Sequence, residues 1–308
     1  MLSALREICA DCASRSVRVI VDAESQHFQH GIALTTLQLM REFNRGGGEK
    51  GAKTTTAAAT VYNTYQAYLK ATPALVEEHM RAAHEEGFTL GLKLVRGAYI
   101  LSDDRRLIHD TKQDTDDAYN AIARGALERS FGAFGDDGAS AAGKGHKKYP
   151  FPSTNLLLAS HNRASVFAAY ELHRQRVAAG LPTVPVAFGQ LHGMSDEVSF
   201  GLLEHGRTLG AQAASASPRA VAMDGGAGGS DLAYDSAKGN GQPYPPAGDG
   251  NAVIMTPDVF KCTTWGSMSE CIAYLVRRAV ENRDAVLRTS DEYTALKNEL
   301  WQRLFTWK

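Results

Sequence analysis

Six short runs rich in β-branched and other apolar residues alternate with longer amphipathic patterns along the 308-residue chain. The runs are Val17–Val21, Ala58–Tyr62, Leu90–Val95, Leu156–Ala159, Val184–Phe188 and Val259–Cys262. Their near-continuous hydrophobicity predicts strands that are buried on both faces, as parallel strands are. The strand–helix repetition therefore predicts an α/β fold, either a parallel sheet or a (β/α)8 barrel, in a single domain.

Composition excludes several classes of protein. The formal net charge of -1 gives no bulk attraction for nucleic acid. No apolar run approaches the roughly 20 residues of a membrane span, so we expect at most peripheral membrane association. Cys9 and Cys12 form a C-x-x-C pair inside a helical pattern, which with no second pair predicts no metal site.

The remaining local features are interpreted as ordinary surface. Met1 is followed at once by an amphipathic helix, and no transit peptide is expected at this amino terminus. Four histidines are interpreted as helix-surface residues, namely His27, His30, His79 and His84.

Two segments interrupt the strand–helix rhythm. Gly132–Lys148 and Gly210–Asn251 are rich in small residues, with few large apolar side chains to offset the entropy of ordering. Because the rhythm resumes after each, both are expected to be low-complexity insertions on surface loops of one domain spanning residues 1–308. Proteases should cut them first.

Polar residues follow five successive predicted strands, where the chemistry of a barrel gathers. A single polar residue at a strand end is usually loop chemistry, but five sets in succession predict a site. The residues are Asp22 and Glu24, Asn63, Arg96 and Tyr99, His161 and Asn162, and Gln190 and His192.

A helix near the carboxyl end places Tyr274, Arg277, Arg278 and Glu281 on one face, at positions i, i+3, i+4 and i+7. The face is consistent with a solvated surface that carries an Arg277–Glu281 pair. It is also consistent with a twin-guanidinium clamp for a carboxylate, since guanidinium groups match carboxylates bidentately. Spacing alone favours the solvated surface.

Lys93 and Arg96 lie in the run Lys93-Leu-Val-Arg-Gly97, at the end of an otherwise apolar strand. Two cations beside a glycine suit a phosphate or pyrophosphate, and a salt-bridged barrel lysine is equally consistent. Ser160-His161-Asn162 offers hydrogen-bond donors at the next strand end, or a helix cap. No G-x-G-x-x-G occurs, so a Rossmann site is not expected.

Together these segments resemble the proline dehydrogenase family in its eukaryotic, fungal form. The matching segments are Asp22-Ala-Glu24, Val61–Lys70, Leu92–Tyr99, Ser160–Asn162, Gln190–Met194 and Tyr274–Asn282. The resemblance implies a (β/α)8 barrel that holds FAD without a covalent bond and oxidises L-proline to Δ1-pyrroline-5-carboxylate. It further implies a quinone as electron acceptor and a mitochondrial location.

The resemblance also implies roles for individual residues. Arg277 and Arg278 would hold the proline carboxylate, with Tyr99, Leu191 and Tyr274 around the ring and Asp22 beneath the reacting centre. The implied cofactor-binding residues are Asn63, Lys93, Arg96, Gly97, Ala98, Ser160, His161, Asn162, Gln190 and Glu281, and by a weaker match Lys112 and Thr115.

The chain departs from the family pattern in three places. The run at Val17 resembles the third family strand, so an incomplete barrel with about six of eight βα units is expected. Cys262 occupies the position of a pocket tyrosine, and Ile100 that of a tryptophan in some relatives. Two alternatives stay open: a catalytically silent partial barrel that only binds a ligand or partner, and a barrel enzyme for a phosphorylated substrate.

Overall fold

The computed structural model describes residues 1–45, 58–135, 148–216 and 256–281, together with 293, 294, 297, 298, 300, 301, 303 and 304. For residues 210–216, 277 and 279–281 it describes the helical backbone and not the side chains.

In the described part of residues 1–281, helices and strands alternate as the sequence predicts, except that a short two-stranded hairpin is added after the fourth α-helix. The helices are α1 (Leu2–Ser14), α2 (Gln26–Phe43), α3 (Thr72–Glu86), α4 (Lys112–Leu127), α5 (Arg163–Ala178), α6 (Asp196–Ala216) and α7 (Met268–Glu281). The strands are β1 (Val19–Val21), β2 (Val61–Gln66), β3 (Leu90–Val95), β4 (Ser130–Phe131), β5 (Phe134–Gly135), β6 (Thr154–Ala159), β7 (Val186–Leu191) and β8 (Asp258–Cys262).

Six strands form one parallel sheet in the order β1-β2-β3-β6-β7-β8, and β4 and β5 form a separate antiparallel hairpin. The sheet curls into a half-barrel. Its two end strands approach each other, since Arg18, directly before β1, lies 3.8 Å from the carboxylate of Asp258. The Arg18 guanidinium also lies 5.3 Å from the ring centre of Phe260. This arrangement confirms the expected incomplete barrel with six parallel strands.

The main core lies between the outer face of the sheet and the helices. Alternate residues of each strand point to this face, for example Leu90, Leu92 and Leu94 of β3, which are completely buried. The opposite, inner face carries a small apolar cluster of Ala59, Tyr62, Leu157 and Ala187. Side chains that alternate with the core residues therefore face the interior of the curl.

Local sequence explains where several helices begin and end. Thr111 and Asp114 form a reciprocal capping box at the start of α4. Pro73 occupies the first turn of α3, which ends at Gly87 in the left-handed conformation. No helix within the described residues is long and apolar enough to cross a membrane.

For two strands, the predicted carboxyl-terminal end lies before the end that the structure shows. The run Ala58–Tyr62 was expected to be a strand, but β2 begins at Val61 and continues to Gln66. Likewise β7 extends to Leu191 rather than Phe188. In both cases the apolar run stops where polar residues of the strand begin. Asn63 consequently lies inside β2 and not at its end.

The edges of the two expected insertions also differ from the prediction. Helix α6 continues to Ala216, beyond the predicted boundary at Gly210. Phe134, within the predicted insertion Gly132–Lys148, is completely buried in the β4–β5 hairpin. Residues 136–147 and 217–251 of the two segments lie outside the described part of the chain.

Candidate active site

The inner face of the half-barrel carries a cation beside a carboxylate. Strand register places Lys93 between Thr64 of β2 and Leu157 of β6, on the inward-facing set of residues. The Lys93 ammonium pairs with the carboxylate of Asp22, which follows β1. The Asp22 side chain is 74% exposed and that of Lys93 only 16%, so the pair opens toward the carboxyl ends of the strands.

Gln66 is the polar residue that ends β2, and it is not among the site residues predicted from the sequence. It shares the inward face with Tyr62 and Thr64, and its side-chain amide donates to the carbonyl oxygen of Glu24 at 3.1 Å. The alternation Tyr62-Asn-Thr64-Tyr-Gln66 could have identified it, had the strand been extended through its polar residues.

Asn63 and Gln190 do not join the inward cluster. Asn63 lies two residues from both Val61 and Tyr65 in β2 and therefore shares their face, which belongs to the core beneath the helices, so it faces away from Lys93. The Gln190 side chain donates to the Ser160 carbonyl oxygen at 3.2 Å and accepts from the Ser199 hydroxyl at 2.8 Å. It thereby joins β7 to β6 and α6.

Arg96 fastens the end of β3 to two helices. Its guanidinium donates to Asp116 at 2.6 Å, Ser160 at 2.7 Å and Ser165 at 2.9 Å. It also lies 4.3 Å from the ring centre of Tyr119. Partial burial opposes ionisation of Asp116, but the Lys112 ammonium and the Arg96 guanidinium outweigh it and lower the pKa of this carboxyl. The group therefore makes an ionic connection between β3, α4 and α5.

The loop after β3 exposes its backbone at the carboxyl end of the strand that carries Lys93. Gly97 and Ala98 are exposed, and Gly97 has a φ of 133°. A Cβ atom at position 97 would lie 2.1 Å from the ring of Tyr68, so glycine is required there for packing as well. Tyr99, which follows, is partly buried.

The Ser160-His161-Asn162 segment has two structural roles. The Asn162 side chain accepts from the Ser165 amide at 3.0 Å and is the N-cap of α5, as one of the two interpretations expected. The His161 Nε2 atom accepts from the Leu191 amide at 3.1 Å and so joins β6 to β7. Because Nε2 accepts, the neutral ring carries its proton on Nδ1.

Helix α7 brings its polar face to the carboxyl ends of β1 and β8. Burial raises the pKa of Tyr274, and the neighbouring Cys262 and Asp22 groups raise it further. The Arg278 guanidinium lies 5.3 Å from the ring centre of Tyr274. Asp22, Cys262, Tyr274 and Arg278, four positions named in the sequence analysis, therefore converge here. The side chains of Arg277 and Glu281 lie outside the described part of the chain.

The fold and this cluster define an incomplete (β/α)8-type barrel whose candidate site lies at the carboxyl ends of the strands, as in barrel enzymes generally. The family model for proline dehydrogenase matches residues 2–222. The chain belongs to the proline dehydrogenase family.

Known relatives agree with this assignment. The chain is 28% identical over 303 residues to a probable mitochondrial proline dehydrogenase of Schizosaccharomyces pombe, covering 97% of this chain and 49% of the relative. It is 30% identical over 309 residues to hydroxyproline dehydrogenase of Rattus norvegicus, covering 98% and 51%. The chain thus spans about half the length of the curated relatives it matches.

Solved structures support the fold. Proline utilization A from Bdellovibrio bacteriovorus, inactivated by N-propargylglycine, superposes with a TM-score of 0.55 at 18% sequence identity. The match covers 91% of this chain and 21% of that protein. Together with the family match, it gives no support to the alternative of a barrel enzyme for phosphorylated substrates.

Proposed function

We propose that the protein containing this chain oxidises L-proline to Δ1-pyrroline-5-carboxylate with FAD as cofactor. The observation that supports this most strongly is the convergence of Tyr274 and Arg278 of α7 with Asp22 at the carboxyl ends of the strands. A cation for a carboxylate, an aromatic wall and a carboxylate for an amine are the groups that a small cyclic amino acid requires.

The chain's own residues would bind and orient the substrate. Arg278, together with Arg277 one residue earlier on α7, would donate charge-assisted hydrogen bonds to the proline carboxylate. The rings of Tyr99 and Tyr274, with the side chain of Leu191, would pack against the apolar ring atoms and exclude water. The Asp22 carboxylate would accept a hydrogen bond from the substrate nitrogen, with Lys93 holding that carboxylate in place.

The inner face fits a flavin. Ile20 and Phe260 point into the curl and are 42% and 47% exposed, which provides an apolar surface for a flat ring system. Lys93 lies on the same inner face, and the exposed Gly97–Ala98 backbone follows β3; the cation suits the ring edge and the exposed backbone suits an anionic phosphate tail.

The residues that would hold FAD follow from these positions and from the family resemblance. They are Lys93, Arg96, Gly97, Ala98, Ser160, His161, Asn162 and Glu281, with Gln66 in the place that the resemblance gave to Asn63. FAD, when bound, supplies the group that accepts a hydride from the substrate. Gln190 would act indirectly, because its side chain donates to the Ser160 carbonyl oxygen and does not point to the inner face.

We infer the location from the names of the relatives and the electron acceptor from the family resemblance. The matching proteins of Schizosaccharomyces pombe, Caenorhabditis elegans and Drosophila melanogaster carry mitochondrial in their names. We infer the same compartment for this protein, with a quinone as the acceptor of the electrons taken from proline.

The test is made on the full-length protein with Arg277→Met and Arg278→Met. Charge-assisted hydrogen bonds contribute about 1.5–3 kcal/mol, so kcat/KM for proline should fall by about ten- to a hundredfold in each variant. The ratio of flavin to protein absorbance should stay unchanged. Arg207→Met is the matched control, because Arg207 lies on the surface of α6 with its side chain 78% exposed.

The opposite result would reassign helix α7. An arginine variant that loses flavin but retains normal proline affinity would place α7 against the cofactor and contradict the carboxylate clamp. Wild-type protein that binds flavin but does not oxidise proline would contradict the proposed function itself.

A further inference from the structure

Three consecutive βα loops are joined by one buried hydrogen-bonded group. The Tyr68 hydroxyl, in the loop after β2, donates to Oδ2 of Asp103 at 2.5 Å. Oδ1 of the same carboxylate accepts from the backbone amide of Gln26, the first residue of α2, at 2.9 Å. Tyr68 and Asp103 are only 4% and 8% exposed. We refer to this pair as the Tyr68–Asp103 latch.

The latch is built for one direction of donation. Burial, reinforced by the Asp103 carboxylate, raises the pKa of Tyr68 well above its usual range. The phenol therefore remains protonated and donates a hydrogen bond to the carboxylate. A buried carboxylate that loses such a donor bears the full cost of its desolvation, so the latch resists opening.

The loops that the latch joins carry residues of the candidate site. The amide of Asp103 donates to the carbonyl oxygen of Tyr99 at 2.9 Å, which closes the turn that holds Tyr99. Gln26, the first residue of α2, directly follows the short segment that begins with Asp22 after β1. The amide of Tyr68 itself donates to the Arg96 carbonyl at 2.7 Å. One phenol–carboxylate pair thus fixes both flanks of the site.

We propose that Tyr68 and Asp103 are positioning residues for substrate binding. They hold the loops of Asp22 and Tyr99 at the separation that the substrate requires, and they do not themselves touch it. This inference rests on the proposed function, because it takes Asp22 and Tyr99 as substrate contacts. The Tyr68 ring packs against Gly97, so a variant that retains the ring removes the latch without disturbing that packing.

The first measurement is steady-state kinetics of the full-length protein with Tyr68→Phe, Asp103→Asn and the double variant. KM for proline should rise by about tenfold in each single variant. Substrate binding must then supply the free energy for ordering the loops that one charge-assisted hydrogen bond supplied before. Flavin content and kcat should change by less than about twofold. The double variant should resemble the single variants, because both substitutions weaken the same Tyr68–Asp103 hydrogen bond. Lys70→Met is the control, since it removes an exposed ion pair to Asp110 from the same loop.

The second measurement is the rate of tryptic cleavage at Arg105 and Arg106, which lie two and three residues beyond Asp103. Cleavage should be faster in both latch variants than in wild type or Lys70→Met, because the loop opens more often. Faster cleavage with an unchanged KM for proline would overturn the positioning role, and unchanged cleavage would overturn the latch. Wild-type protein that does not oxidise proline would contradict the proposed function. The wild-type assay comes before any variant is compared, so this outcome is distinct from failure of the positioning role.

Discussion

At the scale of single residues, Gly97 is required for two independent reasons. Its φ of 133° is unfavourable for any residue with a Cβ atom, and that atom would lie 2.1 Å from the Tyr68 ring. Gly87 has a φ of 72°, but a Cβ atom there would meet nothing within 4 Å, so this position isolates the backbone effect. Gly31, in the middle of α2, has neither restriction.

Replacing each of these three glycines by alanine should change the free energy of unfolding by different amounts. Gly97→Ala should lower the free energy of unfolding by about 2–5 kcal/mol, the sum of backbone strain and overpacking. Gly87→Ala should cost about 1–2 kcal/mol for backbone strain alone. Gly31→Ala should stabilise by up to about 1 kcal/mol, because alanine is the better helix former. Urea unfolding of the three variants measures this, and equal values for Gly97→Ala and Gly87→Ala would contradict the clash with Tyr68.

His79 shows why a residue-level interpretation failed. The sequence interpretation placed it on a helix surface, and it is only 3% exposed, with its Nδ1 atom 2.8 Å from the Tyr65 hydroxyl. This prediction was wrong because polarity was given more weight than period. Val76, His79, Met80 and Ala83 follow the i, i+3, i+4, i+7 pattern of a buried face, and all four are buried.

Buried histidines make stability depend on pH in a defined window. Burial lowers the pKa of His79 to about 4, and burial also lowers that of His173 to about 4. Between about pH 6.5 and 4 the unfolded chain binds protons at these sites and the folded chain does not, so stability falls as pH falls. From pH 6.5 to 5 each histidine should remove about 1.5 kcal/mol from the free energy of unfolding.

The variant His79→Gln tests this window, because glutamine can still accept from Tyr65 but does not titrate. Urea unfolding at pH 6.5 and pH 5 should show a loss in the variant that is smaller than in wild type by about 1.5 kcal/mol. Carboxyl groups with lowered pKa, such as Glu42 and Glu86, affect stability only below about pH 4.5 and do not interfere. An identical loss in both proteins would mean that His79 is protonated in the folded state.

At the scale of elements, the sequence predicted the existence of the strands better than their ends. The strand β3 matches its predicted bounds because the run is apolar except for Lys93. β2 and β7 were predicted too short because their carboxyl-terminal halves include polar residues, among them Gln66 and Gln190, whose side chains bond to neighbouring elements. The partner Glu24 of Gln66 and the partner Ser160 of Gln190 lie 42 and 30 residues away along the chain. Local patterns cannot reveal them.

Arg96 is the residue whose role depends most on the elements around it. Its removal in Arg96→Met would leave Asp116, 13% exposed, with Lys112 as its remaining ionic partner. We expect a loss of about 2–3 kcal/mol in the free energy of unfolding, somewhat below the cost of leaving a buried charge unpaired. Arg174→Met is the control, since the Arg174–Glu171 pair is about one-third exposed and should contribute about 1 kcal/mol or less.

Unfolding by urea should be measured on residues 1–308 carrying Arg96→Met, and flavin content on the full-length protein with the same substitution. Loss of stability in the chain of residues 1–308, where no cofactor is added, is the expected result. Unchanged stability combined with loss of flavin in the full-length protein would show that Arg96 serves the cofactor and not the connection between β3, α4 and α5.

At the scale of the whole molecule, the family motifs predicted one shared site; the structure gathers part of that set, and Asn63 and Gln190 do not join it. Asp22, Lys93, Tyr274 and Arg278 are brought together by parallel strands that all end on one side, which sequence order alone allows one to infer. Gln66 and the Tyr68–Asp103 latch were not predicted. Their roles depend on which loops are adjacent in three dimensions, and that follows only from the strand order of the sheet.

The half-barrel presents apolar surface at the place where its sheet ends. Ile272, Leu275 and Val276 of α7 are 52%, 54% and 57% exposed, and Trp265, just before that helix, is 95% exposed. β1 and β8 end the sheet, so each has one edge without a strand partner among the described residues. Contiguous apolar surface and unpaired strand edges both favour association.

We therefore predict that the chain of residues 1–308, prepared by itself, associates with increasing concentration. Sedimentation velocity over about 1–100 μM should show a growing mean sedimentation coefficient. The double variant Ile272→Lys/Val276→Lys should remain smaller at every concentration, because two ammonium groups on one helix face oppose its burial. Leu101→Lys is the matched control, because Leu101 is 95% exposed but does not lie on the apolar face of α7, so this variant should associate like wild type. Wild-type chain that stays monomeric throughout would contradict the prediction. Association that the double variant leaves unchanged would assign it to the edges of β1 and β8, because those edges offer backbone hydrogen bonds that a change on α7 does not remove.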